Sequence, residues 1–424
     1  MNYYKITELP GGIRVVSENI PYVKSFSLGF WFNVGARDEN KSNNGISHFI
    51  EHMVFKGTKK RSAKKISDDI EAYGGYLNAF TGKENTCFYG RGLSKHLGRT
   101  FDVISDMIQN PLFRKAHIKK ESGVVIDELL DINDNPEELI FDKFEEILFA
   151  GNKLSLPIIG TENNIRKFDT SVLQKFHSEK YKSGKLLISA SGAVDHDELV
   201  RLAKKLLRNN QAKKRHTKRK LSLKSTPGVF TIEKEIQQVH SIIGRSAIGY
   251  NDERRIGLKI LSNLLGEGSS SRLFQAVREK LGITYQINTF LNSYKDVSSF
   301  GVYFSTNEKQ ADKVVNIILK EFKKLREKKV SAKELSRVKE YLKGSTLLSL
   351  ESTTNRMIRI ANSVLYFDKV IDPEELLNRI DSVTAEDILK VANEYLKEEE
   401  LTKVFVRSPN KTILPAGRQV KKVA

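Results

Sequence analysis

His48, Glu51 and His52 are the residues of this chain whose types and spacing could do chemistry. Side chains four apart on an α-helix lie one above the other on the same face, so His48 and His52 project side by side. Glu51 falls one turn above His48 and next to His52. Two neutral imidazoles so placed are a zinc clamp, and a neighbouring carboxylate can take a proton from metal-bound water. The chain has only eight histidines, so two of them at this spacing around a glutamate carry information. The plainer account of the same residues is a partly buried histidine pair on an amphipathic helix.

A catalytic zinc takes three protein ligands and leaves a fourth position for water. The single cysteine, Cys87, excludes a cysteine-based cage and an internal disulfide. A charge-rich helix expected over about Lys115 to Leu130 offers Glu121, Asp127, Glu128 and Asp131. Glu121 and Glu128 are two turns apart and share a face with Val124 and Val125. Acids on a partly apolar stripe require a cationic partner if buried, because an unpaired buried carboxylate is costly. On an exposed face they are two solvated glutamates, and from the residues alone both readings stand.

The elements that must carry these groups repeat. At 424 residues the chain suits two or more domains. A basic stretch from Arg208 to Lys224, closed by Thr226-Pro227-Gly228, divides it almost in half. Each half shows strand signals (Ile13–Val16 and Phe26–Phe32; Val229–Ile232 and Val239–Ile243), then a helix. A strand pair, an amphipathic helix and a long charged helix follow in each, which points to an internal duplication. With the first helices registered on Gly45 and Gly257, His48, Glu51 and His52 fall on Ile260, Asn263 and Leu264, so one metal site per chain is expected. The fold class is α+β: two homologous domains, each a mainly antiparallel sheet with helices on one face. The expected boundaries are 1–207 for the zinc domain, 208–228 for a basic linker, 229–407 for a homologous domain without metal, and 408–424 for a mobile tail.

The bulk properties exclude several classes. Composition is that of a globular protein, 39% hydrophobic and 29% charged, and no apolar run approaches the ~20 residues that span a bilayer. The start, Met1 to Thr7, enters a strand pattern with no signal- or transit-peptide character, and with one cysteine this suggests a reducing, cytoplasmic location. The net charge of +19 would suit nucleic acid, an anionic surface or acidic peptides. The Arg208–Lys224 stretch has eight Lys/Arg and no acid, but no interleaved aromatics, so a basic linker is the expectation and no specific nucleic-acid partner.

The run Gly45-Ile46-Ser47-His48-Phe49-Ile50-Glu51-His52-Met53-Val54-Phe55-Lys56-Gly57-Thr58 resembles the zinc helix of the pitrilysin/insulinase family of metallopeptidases, which includes the mitochondrial processing peptidases. Its H-x-x-E-H core inverts the H-E-x-x-H zinc-peptidase signature. The resemblance extends through Gly74–Thr81, Glu121–Glu128 and Pro157–Thr161, and returns in the second half at Ser271–Phe274 and Arg278–Tyr285, in family order. It implies a third zinc ligand 76 residues after His52, which is Glu128, and a supporting glutamate seven residues earlier, which is Glu121. It implies Glu51 as general base, Arg278 and Tyr285 as groups that hold substrate near the scissile bond, and Asn78, Ala79 and Phe80 as the substrate-pairing strand. Asn152-Lys153-Leu154 replaces a common His-Pro-Leu, and Ala36 a common serine; neither touches an expected ligand.

The resemblance therefore implies a zinc endopeptidase with one Zn2+ per chain, acting on peptides or unfolded protein segments bound by β-augmentation. Relatives enclose a chamber within four similar domains. A chain with two of them implies a dimer; because this one keeps both the zinc motif and the Arg278 and Tyr285 pair, a homodimer is expected, with a heterodimer as the alternative. The competing functions are a non-catalytic subunit of a peptidase-like assembly and, from the charge alone, a nucleic-acid binder.

Overall fold

The computed structural model describes residues 3–182, 185–207, 226–409 and 421–422; the Arg208–Lys224 stretch lies outside them. In the first half the strands are β1 (Tyr4–Leu9), β2 (Ile13–Asn19), β3 (Ser25–Phe32), β4 (Tyr76–Thr81), β5 (Thr86–Leu93) and β6 (Leu186–Gly192). They form one six-stranded sheet in the order β1-β2-β6-β3-β5-β4, antiparallel except at β2–β6. The second half contributes β7 (Gly228–Glu233), β8 (Val239–Ile248), β9 (Gln286–Ser293), β10 (Val297–Thr306), β11 (Thr402–Arg407) and β12 (Lys421–Lys422). Its sheet runs β12-β7-β11-β8-β10-β9.

The two orders superimpose strand for strand from β2 and β7 onward, which is the duplication expected from the sequence. The outermost position differs in origin. It is filled by the N-terminal β1 in one sheet and by the C-terminal β12 in the other, where Lys421 and Lys422 pair with Phe230 and Thr231. Of the tail expected over 408–424, residues 410–420 and 423–424 lie outside the described residues; Lys421–Lys422 form a short strand on the outer edge of β7, whose backbone groups need partners.

Both faces of each sheet are covered, not one. Every residue of β6, β10 and β11 is buried, the pattern of strands enclosed on both sides. Adjacent residues of β3 point to opposite faces: Phe30 packs edge-on against Phe101 of the helix Leu97–Gln109. Trp31 instead joins Val16, Cys87 and Leu187 in a cluster with Met357, Ile360, Ala361 and Val364. These last four belong to the helix Thr353–Phe367, from the second half of the sequence. It lies so close to β3 that a Cβ on Gly29 would stand 2.6 Å from Met357 Sδ.

The reciprocal exchange occurs in the other unit. Leu139, Ile140, Phe144, Ile147 and Leu148 of the helix Pro136–Leu148 cluster with Ile242, Tyr303, Val404 and Val406. One unit comprises Met1–Leu130, Leu156–Thr217 and Leu348–Ile371; the other comprises Asp131–Ser155, Lys218–Leu347 and Asp372–Ala424. Two segments, Asp131–Ser155 from before the expected 208–228 boundary and Leu348–Ile371 from after it, thus belong to the unit built mainly from the other half. An apolar helical stripe specifies burial but not which of two similar sheets it will cover.

Candidate metal centre

The helix Ile46–Val54 carries His48, Glu51 and His52. Phe49, Ile50, Met53 and Val54 form its buried face, each no more than 1% exposed. At about 1.5–3 kcal/mol per large apolar side chain, that face fixes the rotation of the helix and hence where the histidines point. Gly45 caps it at φ +96° and cannot cap through a side chain, so Glu39 does so from a distance. Its buried carboxylate accepts from Gly45 N (2.7 Å), Ser47 N (2.8 Å) and Asn44 Nδ2 (2.9 Å). Burial nevertheless pushes the Glu39 carboxyl above its ordinary range, against these hydrogen bonds.

The second helix, Lys115–Asp134, turns Ile118, Glu121 and Val125 inward, with Glu128 on the same stripe. Val124, expected to share that face, is exposed. Glu121 is buried and compensated: Oε1 lies 3.0 Å from His52 Nδ1 and Oε2 lies 2.8 Å from Lys56 Nζ. Burial alone would raise the Glu121 pKa, but these two partners bring it below the usual carboxylate range. The cationic compensation demanded by a buried acid is Lys56, a residue the sequence reading did not single out.

Among the described residues, His48, His52 and Glu128 form a group that could hold a metal, with one ligand atom from each lying within 4.8 Å of the others. His48 Nε2 is 3.6 Å from Glu128 Oε1, and His52 Nε2 is 3.6 Å from Glu128 Oε2. Zinc bonds of about 2.1 Å in a tetrahedron set ligand atoms roughly 3.4 Å apart, so the donors fit zinc. The hydrogen bond to Glu121 takes His52 Nδ1–H and leaves the Nε2 lone pair for a metal. His48 is held neutral: burial, and secondly the neighbouring His52, lower its pKa to about 4. Burial also disfavours charge on His52, but the hydrogen bond to Glu121 and the fields of Glu128, Glu121 and Glu51 outweigh it and raise its pKa. The carboxylates of Glu121, Glu128 and Glu51 thus favour positive charge on the His52 side of the site, while His48 stays neutral with a lone pair to offer. Glu128 keeps 43% of its side chain exposed, which leaves a solvent-facing side for a fourth ligand.

Glu51 accepts a 2.5 Å hydrogen bond from the Thr81 hydroxyl at Oε2. Burial raises the Glu51 pKa, Thr81 and His52 oppose that, and the charge of Glu128 adds to it. Thr81 ends β4, the outermost strand, which pairs with β5 on one side. Asn78, Ala79 and Phe80 lie on this edge strand, and Asn78 Oδ1 accepts from Ala79 N at 2.8 Å. Phe80 is anchored edge-on to Trp31 at 5.5 Å.

Arg278 and Tyr285 belong to the other unit. Arg278 sits in the helical turn Phe274–Glu279 with its guanidinium 4.9 Å from the Phe274 ring, and Tyr285, just before β9, is 81% exposed. In that unit Ile260, Asn263 and Leu264 are buried in the helix Arg255–Gly266, where the first unit carries its histidine motif.

The duplicated α+β fold places the H-x-x-E-H helix in one unit only, with Glu128 brought to it from a second helix. Residues 14–162 match the family model described as insulinase (peptidase family M16), and residues 167–342 match that of the peptidase M16 inactive domain. The chain belongs to peptidase family M16. It is 36% identical to an uncharacterized zinc protease of Streptomyces coelicolor, over 92% of this chain and 86% of that protein. It is 34% identical to an uncharacterized zinc protease of Bacillus subtilis, over 92% of this chain and 94% of that one. A protease from Helicobacter pylori has the same fold, with TM-score 0.87 at 21% identity over 95% of this chain and 99% of its own. No helix among the described residues is long and apolar enough to cross a membrane.

Proposed function

We propose that this chain is a zinc-dependent endopeptidase that hydrolyses peptides or extended protein segments. The observation that carries the reading is the convergence of His48, His52 and Glu128, with Glu51 on the same helix as the two histidines. Zinc held by the three would supply Lewis acidity, polarising the scissile carbonyl and making water more acidic. The Glu51 carboxylate accepts the proton of the attacking water and returns it to the leaving nitrogen. Glu121 keeps the His52 imidazole in the tautomer that leaves Nε2 free, and Lys56 keeps Glu121 ionised. The edge strand β4 offers backbone groups to an extended peptide, which favours unfolded segments over folded proteins.

On the family resemblance, Arg278 and Tyr285 are assigned to holding substrate and stabilising the developing oxyanion. On the same basis the working form is a homodimer, with a heterodimer as the alternative.

The test is to incubate the purified chain with a peptide mixture, with and without chelator, and map the cuts by mass spectrometry. Chelator-sensitive internal cuts are expected, and Glu51→Gln is expected to keep zinc and lose hydrolysis. Near-normal turnover by Glu51→Gln, or cuts that persist without metal, would sink the proposal.

A further inference from the structure

We infer that Thr81 is a positioning residue for the proton-transfer step. Its hydroxyl fixes one oxygen of Glu51, so that the other is the one presented to water. This inference rests on the peptidase reading above and concerns how this chain aims its general base. An ionised carboxylate can only accept, so in the 2.5 Å contact the Thr81 Oγ1–H donates and Glu51 Oε2 receives. Glutamate has three rotatable bonds and two equivalent oxygens. Without a fixed donor, the Glu51 carboxylate is free to turn away from the position a water would occupy.

Thr81 is built to hold still. Its β-branched side chain is stiff at χ1, and its backbone pairs with Thr86 in the β4–β5 hairpin. The loop beyond it is closed by Gly82 N donating to Asn85 O at 2.8 Å. The loop is then gripped from a neighbouring segment: Ala36 N donates to Gly82 O at 3.3 Å and Arg37 N to Lys83 O at 2.8 Å. The Arg37 guanidinium pairs with Glu84 at 2.7 Å, both side chains being almost fully buried. Tyr366, on the helix exchanged from the second half of the sequence, donates its hydroxyl to Glu84 at 3.3 Å. A Cβ on Gly35 would stand 2.2 Å from Gly82 O, so the segment and the loop are in close backbone contact. The hydroxyl thus reaches Glu51 from a rigid frame, while Glu51 itself rides on the histidine helix.

The test compares wild type, Thr81→Val, Thr81→Ser and Glu51→Gln on one peptide substrate, with zinc per chain measured alongside kcat and KM. Valine keeps the β-branched shape and removes the donor. Thr81→Val is expected to retain one zinc and a KM within about twofold, while kcat falls about 10- to 100-fold, the scale of one charge-assisted hydrogen bond. Thr81→Ser, which restores the hydroxyl, is expected to recover most of kcat. A Thr81→Val kcat within twofold of wild type overturns the inference, as does loss of zinc in that variant or a serine variant no better than valine. Wild type that cuts while Glu51→Gln does not leaves the peptidase reading standing whatever Thr81 does. Zinc-loaded wild type that cuts nothing overturns both.

Discussion

His52 Nδ1 and Glu121 Oε1 lie 3.0 Å apart, and the second oxygen of the same carboxylate lies 2.8 Å from Lys56 Nζ. This line of three groups, from lysine through buried acid to imidazole, sets the orientation of one candidate zinc ligand from behind.

Removing the charge of Glu121 should therefore weaken metal binding without unfolding the chain. Glu121→Gln is expected to lower zinc affinity about 10- to 100-fold, the usual cost of losing an outer partner of a ligating histidine. Competition against a chromophoric chelator measures this. An unchanged affinity would show that Glu121 does not orient His52.

Gly45 and Gly160 should tolerate no side chain. Both have positive φ, and an added Cβ would lie 2.6 Å from Ile159 O at the first and 2.4 Å from Asn44 O at the second. Gly45→Ala is expected to cost roughly 2–4 kcal/mol, from the left-handed backbone penalty plus displacement of the facing loop. The double variant should cost less than the sum, because both clashes occur at one contact. Urea denaturation of the three variants gives the comparison.

His177 should make stability fall in mild acid. It is buried against Phe113 and Tyr181 and bonded through Nε2 to the Ile108 carbonyl at 2.8 Å. Burial first, aided by Lys182 and only partly offset by that hydrogen bond, lowers its pKa from 6.5 to about 4. Between those values the unfolded chain binds the proton that the folded chain refuses, so stability is full above pH 6.5 and declines as pH falls toward 4. The contribution at stake is about 3 kcal/mol. In denaturation curves across that window, His177→Gln should show a shallower pH slope than wild type, with the other histidines common to both; equal slopes would contradict this.

Truncating the exchanged helix should weaken the first sheet. Ile360 is fully buried in the cluster with Trp31 and Leu187, so Ile360→Ala is expected to cost about 2–5 kcal/mol. Hydrogen exchange should rise in β3 and β6, the strands beneath it, before it rises in β8 and β10. Uniform loss of protection across both sheets would show that the chain unfolds as one unit.

Much of the site was legible because it is local. The spacing of His48, Glu51 and His52 needs only helical periodicity to place them together, and a resemblance spread along the chain pointed to Glu128 and Glu121. Lys56 and Thr81 lie within the same motif blocks, but nothing in their spacing says which carboxylate each would meet. The strands β6 and β11 were absent from the expected elements for a related reason: as short, wholly buried runs they lack the alternation that reveals a strand.

The sequence by itself determined the duplication, the α+β class, the helix that carries the candidate metal ligands His48 and His52, and the absence of their counterparts at Ile260 and Leu264. Each rests on short-range periodicity or on motif blocks, which survive without knowledge of the fold. Tertiary structure decided which sheet each exchanged helix covers and what neutralises Glu121. It also decided that the Thr81 hydroxyl meets Glu51. These are contacts between groups far apart along the chain, selected by packing and by the cost of leaving a buried charge or donor without a partner.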